Sequence, residues 1–301
     1  MIDKQKYLRK PDWLRSKLPK ADSYRYLRNI LRSYNLYTVC EEAHCPNMGQ
    51  CWGGGTATFM ILGDTCTRGC RFCAVKTKKK GTPLDPDEPL NVAKAALEMK
   101  LSYVVITSVD RDDLSDGGAG HFAETIKTIF ERSEHRLMVE VLTPDFQGDR
   151  AQLEIVVNAK PTVFAHNIET IHRLTPSVRD PRCDYRRSLQ VLRWAKEIVP
   201  EIVTKSSLML GLGETDEEIL EAMDDLRSEN VDILTLGQYL QPTKKHLPVQ
   251  RYVSPDEFAR FAEIAQSKGF LAVPSGPLVR TSFRAGEIFE KLPHKTKNTH
   301  A

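Results

Sequence analysis

The chain has 301 residues, 41% of them apolar and 28% charged, which is the composition of a globular protein with one large α/β domain or two smaller ones. No run of about 18 apolar residues is present, which excludes a membrane-spanning helix, and the basic N-terminal segment lacks the apolar core of a secretory signal. The net charge of +3 is too small to indicate a nucleic-acid-binding protein, and a reducing cytoplasm is the expected location.

The N-terminal segment, up to about residue 37, is polar and basic. Residues 23–31 have a helical pattern of apolar side chains, and we interpret the segment as an arm packed on the main body. Residues 4–20 contain seven Lys or Arg against one Asp, and further lysines follow at positions 76, 78, 79 and 80. Two interpretations of these basic residues remain open, a solvated surface or a docking surface for an acidic macromolecule.

A first cysteine triplet follows this arm, with the spacing Cys40-x4-Cys45-x5-Cys51. The proline and glycines in and after it predict a loop without regular structure. The triplet with His44 has the ligand types of a zinc site, but adjacent His44 and Cys45 are poorly placed to face one metal. An iron–sulfur cluster bound by the three cysteines is therefore the favoured interpretation.

A second triplet, Cys66-x3-Cys70-x2-Cys73, follows an apolar stretch at residues 56–62 that predicts a buried strand. Glycines at positions 63 and 69 allow the loop to curl tightly. Three thiolates from one loop hold three irons of a cubane cluster and leave the fourth iron open to a small molecule. A structural zinc site usually has four protein ligands, and no fourth Cys or His follows Cys73 closely. The spacing, and its place after a first strand, resemble the signature of the radical S-adenosylmethionine (SAM) enzymes.

The rest of the chain alternates between helical and strand patterns. Helices are predicted at residues 92–99, 120–131, 149–158, 185–198, 216–228 and 255–268, and strands at 103–109, 137–142, 162–167, 202–210, 232–240 and 270–273. About six βα units predict a parallel sheet with crossover helices, in the form of a partial (β/α)6 TIM-type barrel. We divide the chain into an N-terminal extension (1–55), the barrel (56–273) and a C-terminal extension (274–301).

The ends of the second and later strands carry candidate SAM contacts, because chemistry in such folds collects at the carboxyl ends of strands. Thr107 and Ser108, followed by carboxylates at positions 110, 112 and 113, are placed to hydrogen-bond the amino-acid part of SAM. The alternative is an acidic loop that caps a helix.

Two further strand ends fit the rest of the SAM molecule. Asn167 and Glu169 are candidates for the ribose hydroxyls, with an Asx-type helix cap as the alternative. Gly211 and Gly213 leave a strand end bare enough for an adenine to lie flat, although the aliphatic neighbours are equally suited to a core. Cys183, in a polar stretch with no partner close in sequence, is interpreted as incidental.

The residues near the C-terminus complete a combination that resembles the lipoyl synthase family. Both cysteine triplets are followed by Arg280-Thr281-Ser282-Phe283, which is similar to an Arg-Ser-Ser-Tyr motif, and the likeness extends over residues 13–287. The resemblance implies that the first triplet binds an auxiliary [4Fe-4S] cluster whose fourth iron takes a serine hydroxyl, here Ser282. Thr281 replaces the first serine of the motif, and Phe283 replaces the tyrosine.

The resemblance also implies the reaction. The cluster on the second triplet binds SAM, and one electron cleaves it to methionine and a 5′-deoxyadenosyl radical. That radical removes hydrogen from C6 of an octanoyl chain on a carrier protein, and a second SAM acts at C8. The auxiliary cluster supplies the sulfurs. The implied partners are octanoylated lipoyl carrier domains (2-oxoacid dehydrogenase E2 or glycine cleavage H protein), an electron donor such as flavodoxin or ferredoxin, and an iron–sulfur carrier.

Three other kinds of protein are alternatives to this interpretation. A radical SAM methylthiotransferase would carry its auxiliary cysteines in a separate domain and usually an RNA-binding module, for which the sequence has no room. A zinc-stabilised binding protein would use both triplets structurally. A simple electron carrier does not need a whole α/β barrel to hold two clusters.

Overall fold

Six parallel strands form the centre of the fold in the computed structural model, which describes residues 8–14, 21–42, 47, 51–52 and 56–293. The eight-stranded sheet has the order β1-β2-β5-β6-β7-β8-β9-β10, and β3 and β4 form a separate pair. The strands are β1 Tyr37–Thr38, β2 Thr56–Ile61, β3 Thr65–Cys66, β4 Lys76–Thr77, β5 Tyr103–Ser108, β6 Met138–Leu142, β7 Val163–Ala165, β8 Val203–Leu210, β9 Ile233–Gln238 and β10 Ser275–Gly276.

Helices connect the parallel strands. They are α1 Ala21–Ser33, α2 Val39–Glu42, α3 Glu88–Glu98, α4 Ala119–Ser133, α5 Arg150–Val157, α6 Thr175–Val178, α7 Tyr185–Ile198, α8 Asp216–Ser228, α9 Pro255–Ser267 and α10 Ala285–Glu290, with 3-10 turns at Asp12–Leu14, Phe146–Gly148 and His172–Leu174. Within the described residues, no helix is both long and apolar enough to cross a membrane.

The predicted partial (β/α)6 barrel is confirmed. Strands β2 and β5 to β9 pair in parallel in chain order, and β1 adds an antiparallel edge to β2. Helices α7 and α8 begin and end where the sequence predicts, because Asp184 and Thr215 cap their first turns with side-chain oxygens.

One predicted strand is wrong. Residues 270–273 form only an isolated bridge, between Ala272 and Ile233, and the edge strand β10 lies farther along the chain. The backbone does run beside β9, since Leu271 N–H donates to Asp232 O (2.8 Å) and Leu236 N–H donates to Pro274 O (2.9 Å). Pro274 has no N–H to continue the ladder, so regular pairing is interrupted there.

The two faces of the sheet are covered by different parts of the chain. Val104 and Ile106 of β5 point outward and pack in one apolar cluster with Phe122 of α4. Tyr103 and Val105, which alternate with them, point inward and pack with Phe289 of the C-terminal helix α10. The C-terminal segment therefore lies against the inner face of the curved sheet, an arrangement that its short polar sequence did not predict.

A charged pair is also buried on this inner face. The ammonium of Lys205 lies 2.9 and 3.1 Å from the two carboxylate oxygens of Glu140, and the side chains of both residues are 1% exposed. The Tyr103 hydroxyl donates a 2.7 Å hydrogen bond to the same carboxylate. Each charge is thus compensated, and removal of one partner would leave the other unpaired away from water.

We expect Lys205→Met to lower the free energy of unfolding by about 3–5 kcal/mol, because Glu140 would be left as an uncompensated buried charge. The double variant Lys205→Met/Glu140→Gln should recover most of this loss. Anaerobic urea unfolding measures both. Arg150→Met, which breaks an exposed ion pair with Glu197, is the control and should cost at most about 1 kcal/mol. An equally small loss for Lys205→Met would contradict the prediction.

Candidate active site

The second cysteine triplet lies on a compact loop that leaves the carboxyl end of β2. Strand β3, which contains Cys66, pairs in parallel with β4 and closes the loop. Gly63 opens it with φ of 87°, and a Cβ at this position would overlap the Thr82 hydroxyl, so the predicted need for glycine is confirmed here. Gly69 has no positive φ, and its N–H instead donates a 2.7 Å hydrogen bond to the Asp180 carboxylate.

Backbone N–H groups point at the sulfurs of this triplet, including that of Cys73, which has a backbone hydrogen bond with Val75. Cys66 Sγ accepts from the N–H of Arg68 (3.4 Å) and of Asp110 (3.3 Å), and Cys70 Sγ accepts from the N–H of Asp180 (3.3 Å). Hydrogen bonds to the sulfurs are a recognised means by which proteins tune iron–sulfur clusters.

Burial disfavours the thiolate form of these cysteines when no cation is present. Burial and then the Asp110 carboxylate raise the pKa of Cys66 to about 12. The pKa of Cys73 is raised chiefly by burial, and the carboxylates of Glu169 and Asp110 raise it further. A cationic cluster is the kind of partner that would stabilise all three thiolates, so the donor set fits a [4Fe-4S] cluster.

In the part of the chain that the structure describes, no group of three or more His, Cys, Asp or Glu side chains is arranged to hold a single metal ion. In a cluster each iron takes its own cysteine, so the three sulfurs of such a site need not converge on one point.

The Arg68 guanidinium fixes the loop to the ends of β5 and β6. Its side chain is 2% exposed and contacts three carboxylates, with Nη2 2.8 Å from Asp112 and 2.7 Å from Asp145, and Nε 3.4 Å from Asp110. Although burial acts to raise it, the bond and charge of Arg68 lower the pKa of Asp145 to about 2. The carboxylates after β5 are predicted SAM contacts, whereas in the structure Asp112 has an arginine partner.

Two segments that are distant in sequence also form hydrogen bonds with the cysteine loop. The N–H of Arg71 donates to Val178 O (2.9 Å), and the N–H of Leu247 donates to Arg71 O (3.2 Å). A ring nitrogen of His246 lies 2.9 Å from the carbonyl oxygen of Cys73. These contacts are not predictable from the sequence, because local patterns carry no signal for pairs more than 100 residues apart.

Cys183, interpreted from the sequence as incidental, lies against this loop. The Arg68 Nη1 atom is 3.6 Å from its sulfur, and a hydrogen bond with Cys70 lowers the pKa of Cys183 to about 7.

The predicted SAM contacts after β5 differ in their surroundings. The Thr107 hydroxyl donates a 3.0 Å hydrogen bond to Leu142 O of the neighbouring strand. The Ser108 hydroxyl oxygen is buried and has no hydrogen-bond partner among the described residues. Asp113, another of the predicted carboxylates, is occupied by the Arg111 guanidinium at 2.8 Å.

Asn167 and Glu169 lie together beyond the end of β7. The Asn167 amide donates to Glu169 Oε1 (3.1 Å) and to Thr281 Oγ1 (3.0 Å), while its own oxygen is buried with no partner in the described structure. Ile171, and not Asn167, is the N-cap of the turn that follows, which argues against the helix-cap alternative.

Gly211 and Gly213 form a tight turn with φ of 100° and 109°. A Cβ at Gly211 would overlap the Gln238 side chain and the Arg251 carbonyl, so close packing alone requires this glycine. The Glu214 carboxylate accepts from the N–H of Gly211 (2.5 Å) and of Leu212 (2.9 Å). Contact of either glycine with an adenine stays a prediction.

The first cysteine triplet is described in part. Cys40 is buried in the short helix α2, so the prediction of no regular structure is wrong at this residue, and Cys51 is half-buried. Cys45 and His44 lie outside the described residues. Asn47, between these cysteines, donates a hydrogen bond to the carbonyl oxygen of Leu278 and so ties this segment to the C-terminal one.

Ser282 lies on the inner face of the sheet, where its hydroxyl oxygen is 2.9 Å from the Thr58 hydroxyl of β2. The neighbouring Arg284 is close enough to Cys51 for the two to interact electrostatically, although Glu287 is its main partner. The C-terminal motif therefore lies close to two other parts of the chain. One is the segment that contains Cys51, and the other is the first barrel strand, β2.

Comparison with known proteins tests the family. A family model for the radical SAM superfamily matches residues 60–226, and one for the N-terminal domain of lipoyl synthase matches residues 1–45. The lipoyl synthase of an Anaeromyxobacter species is 57% identical over 93% of this chain and 95% of its own, and the mitochondrial lipoyl synthase of Trichoplax adhaerens is 56% identical over 96% and 84%. The chain belongs to the lipoyl synthase family.

As a lipoyl synthase the chain is a radical SAM enzyme that inserts sulfur to make the lipoyl cofactor, and it uses SAM and a [4Fe-4S] cluster. Solved structures show the same fold at low sequence identity. The hydrogenase maturase HydG of Carboxydothermus hydrogenoformans covers 89% of this chain and 68% of its own with a TM-score of 0.59 and 13% identity. Methylornithine synthase (PylB) covers 91% and 89% with a TM-score of 0.54 and 13% identity.

In this lipoyl synthase we expect Arg68→Met to lower the free energy of unfolding by about 3–5 kcal/mol, because the Asp145 carboxylate, whose side chain is 0% exposed, would keep only the more distant Arg187 guanidinium, at 3.4 Å, as a compensating charge. The cysteine loop should then bind its cluster poorly, which iron analysis and SAM cleavage after anaerobic reconstitution would show. Arg71→Met removes an exposed arginine of the same loop and should cost about 1 kcal/mol. Equal effects of the two variants would argue against the role of Arg68.

Proposed function

We propose that the chain inserts sulfur at C6 and C8 of an octanoyl chain held on a carrier protein, and that an auxiliary [4Fe-4S] cluster supplies the sulfur. Its proposed ligands are Cys40, Cys45, Cys51 and Ser282, and Cys66, Cys70 and Cys73 are the proposed ligands of the SAM-binding cluster. The contact of the Ser282 region with both the N-terminal segment and the first barrel strand carries this proposal. The extensions at 1–55 and 274–301 would then build one site at the inner face of the barrel.

The described part of this site fits a cluster by its chemistry. A serine hydroxyl and two cysteines lie on segments that contact each other, and Arg284 gives the place a positive charge beside Cys51. A hard oxygen ligand holds iron less firmly than a fourth thiolate, which suits a cluster that must surrender sulfide. When bound, the two clusters and SAM supply the radical chemistry and the sulfur.

The chain's own residues bind and align the reactants. We assign the SAM contacts to Thr107, Ser108, Asn167, Glu169 and, at the β8 end, to Gly211 with Gly213. One of these residues, Asn167, has a buried amide oxygen without a described partner, and a polar ligand beyond the end of β7 would satisfy it. The inner face of the barrel keeps water from the reacting groups and fixes their separation, which is the protein's part in cofactor chemistry.

An acidic lipoyl carrier is the proposed macromolecular partner. Lys76, Lys78, Lys79 and Lys80 are exposed on the stretch that leaves the cysteine loop, so they form a basic rim next to the proposed active site. The positive charge of this rim would attract a negatively charged carrier domain, and salt would weaken that attraction. The carrier would be a 2-oxoacid dehydrogenase E2 domain or the glycine cleavage H protein, with flavodoxin or ferredoxin as electron donor and an iron–sulfur carrier to rebuild the cluster. We propose a cytoplasmic location, where thiols stay reduced.

The test is an anaerobic reaction of the reconstituted enzyme with SAM, a strong reductant and an octanoylated lipoyl-domain peptide, followed by mass spectrometry of the peptide. We expect two added sulfurs with the unmodified enzyme. Ser282→Ala and Cys45→Ala should still cleave SAM but should insert no sulfur, because they change only the auxiliary site. Cys70→Ala is the matched control and should abolish SAM cleavage itself.

Two results would contradict the proposal in different ways. SAM cleavage with an unchanged octanoyl peptide would remove the proposed substrate. Full sulfur insertion by Ser282→Ala and Cys45→Ala would remove the auxiliary cluster as the sulfur source.

A further inference from the structure

We propose that Thr58 is a positioning residue for the auxiliary site, whose hydroxyl donates a hydrogen bond to the Ser282 oxygen and holds that oxygen in place as a ligand. This inference rests on the proposed function, because it takes Ser282 as the fourth ligand of the auxiliary cluster. The observation that carries it is the 2.9 Å separation of the two hydroxyl oxygens, which join β2 to the C-terminal segment across 224 residues of sequence.

The backbone of Thr58 is fixed from both sides. Thr58 pairs with Val105 of β5, and the next residue, Phe59, pairs with Thr38 of β1, so β2 is held between two strands at this point. Threonine is β-branched and has few side-chain rotamers, so a fixed backbone also fixes the direction of its hydroxyl. Thr58 is 5% exposed, which leaves little water to compete for that hydroxyl.

The direction of the hydrogen bond follows from the chemistry of the ligand. A hydroxyl can donate one hydrogen and accept two, but a serine oxygen bound to iron in its deprotonated form can only accept. Thr58 must then be the donor. The bond restricts rotation of the Ser282 side chain, which is only half-buried and lies in a turn before α10. Partners of this kind behind a metal ligand typically change metal affinity or activity by about 10- to 100-fold when removed.

Thr56 provides a matched control on the same strand. It is two residues away, faces the same side of the sheet and is 3% exposed, but its hydroxyl lies beside Gly286 and not beside Ser282. Thr56→Val and Thr58→Val therefore make the same chemical change in neighbouring buried positions, and only the second removes the donor to Ser282.

The test uses the full chain, reconstituted anaerobically with both clusters and with SAM bound to cover the open iron of the other cluster. The first measurement is the rate at which a chelator removes iron, and the second is the Mössbauer signature of the iron that has an oxygen ligand. We expect Ser282→Ala and Thr58→Val each to raise the rate of iron loss by about tenfold. Thr58→Ser keeps the donor but loses the β-branch, so most of the original rate should be retained, and Thr56→Val should leave the rate unchanged.

A double variant separates positioning from a general loosening of the strand. If Thr58 acts through Ser282, Thr58→Val adds nothing to the rate in a Ser282→Ala background, because the oxygen that it holds is gone. An unchanged rate for Thr58→Val alone, or an equal increase for Thr56→Val, would overturn the proposed role of Thr58 and leave the proposed function intact. An unchanged rate for Ser282→Ala would overturn both the proposed role of Thr58 and the part of the proposed function that makes Ser282 a cluster ligand.

Discussion

Polar side chains on the inner face of the barrel must find partners inside the protein, and this constraint orders the C-terminal half of the structure. Glu140 is compensated by Lys205, Thr58 meets Ser282, and the Asn167 amide donates to Thr281. An unpaired polar group in such a place would cost about 1–3 kcal/mol, and an unpaired charge more. The C-terminal segment is therefore held where it is by two hydrogen bonds to the barrel, from Thr58 of β2 and from Asn167 beyond β7, as well as by the apolar packing of Phe289 on Tyr103.

A second group of buried charges holds the cysteine loop. Arg68 sits among carboxylates from the loops after β5 and β6, and its backbone N–H also donates to Cys66 Sγ, so this residue ties the cysteine loop to the carboxyl end of the sheet. Burial raises the pKa of Asp110 to about 6 in spite of Arg68, and the carboxylates of Asp145 and Asp112 raise it further, so negative charge is already crowded here. A loop of this kind is shaped by its arginine before a cluster binds, and the cluster's positive charge then balances the thiolates.

The sequence predicted the barrel well because the patterns of strands and helices are local, whereas the assignment of the cysteines to clusters stays a prediction. Helices α7 and α8 were predicted to the residue, since Asp184 and Thr215 are clear N-caps before apolar periodicity. The cysteine spacing is likewise a property of short segments. Contacts between distant segments were not predictable: nothing near Thr58 indicates Ser282, and nothing near Arg68 indicates Asp145. Helix α10 was missed because its six residues are stabilised by the inner face and not by their own pattern.

The departure from the family motif at Thr281 acquires a physical meaning from these contacts. Its hydroxyl accepts a hydrogen bond from the Asn167 amide, a role that serine or threonine can fill equally, so the substitution keeps the link between the C-terminal segment and β7. The adjacent Ser282 faces β2 and the segment that contains Cys51. Of two neighbouring hydroxyls, one is thus engaged with the strand end proposed to bind SAM, and the other is directed to the proposed auxiliary site. The same short motif would therefore set the distance between the two cofactors, because a shift of either hydroxyl moves the other with it.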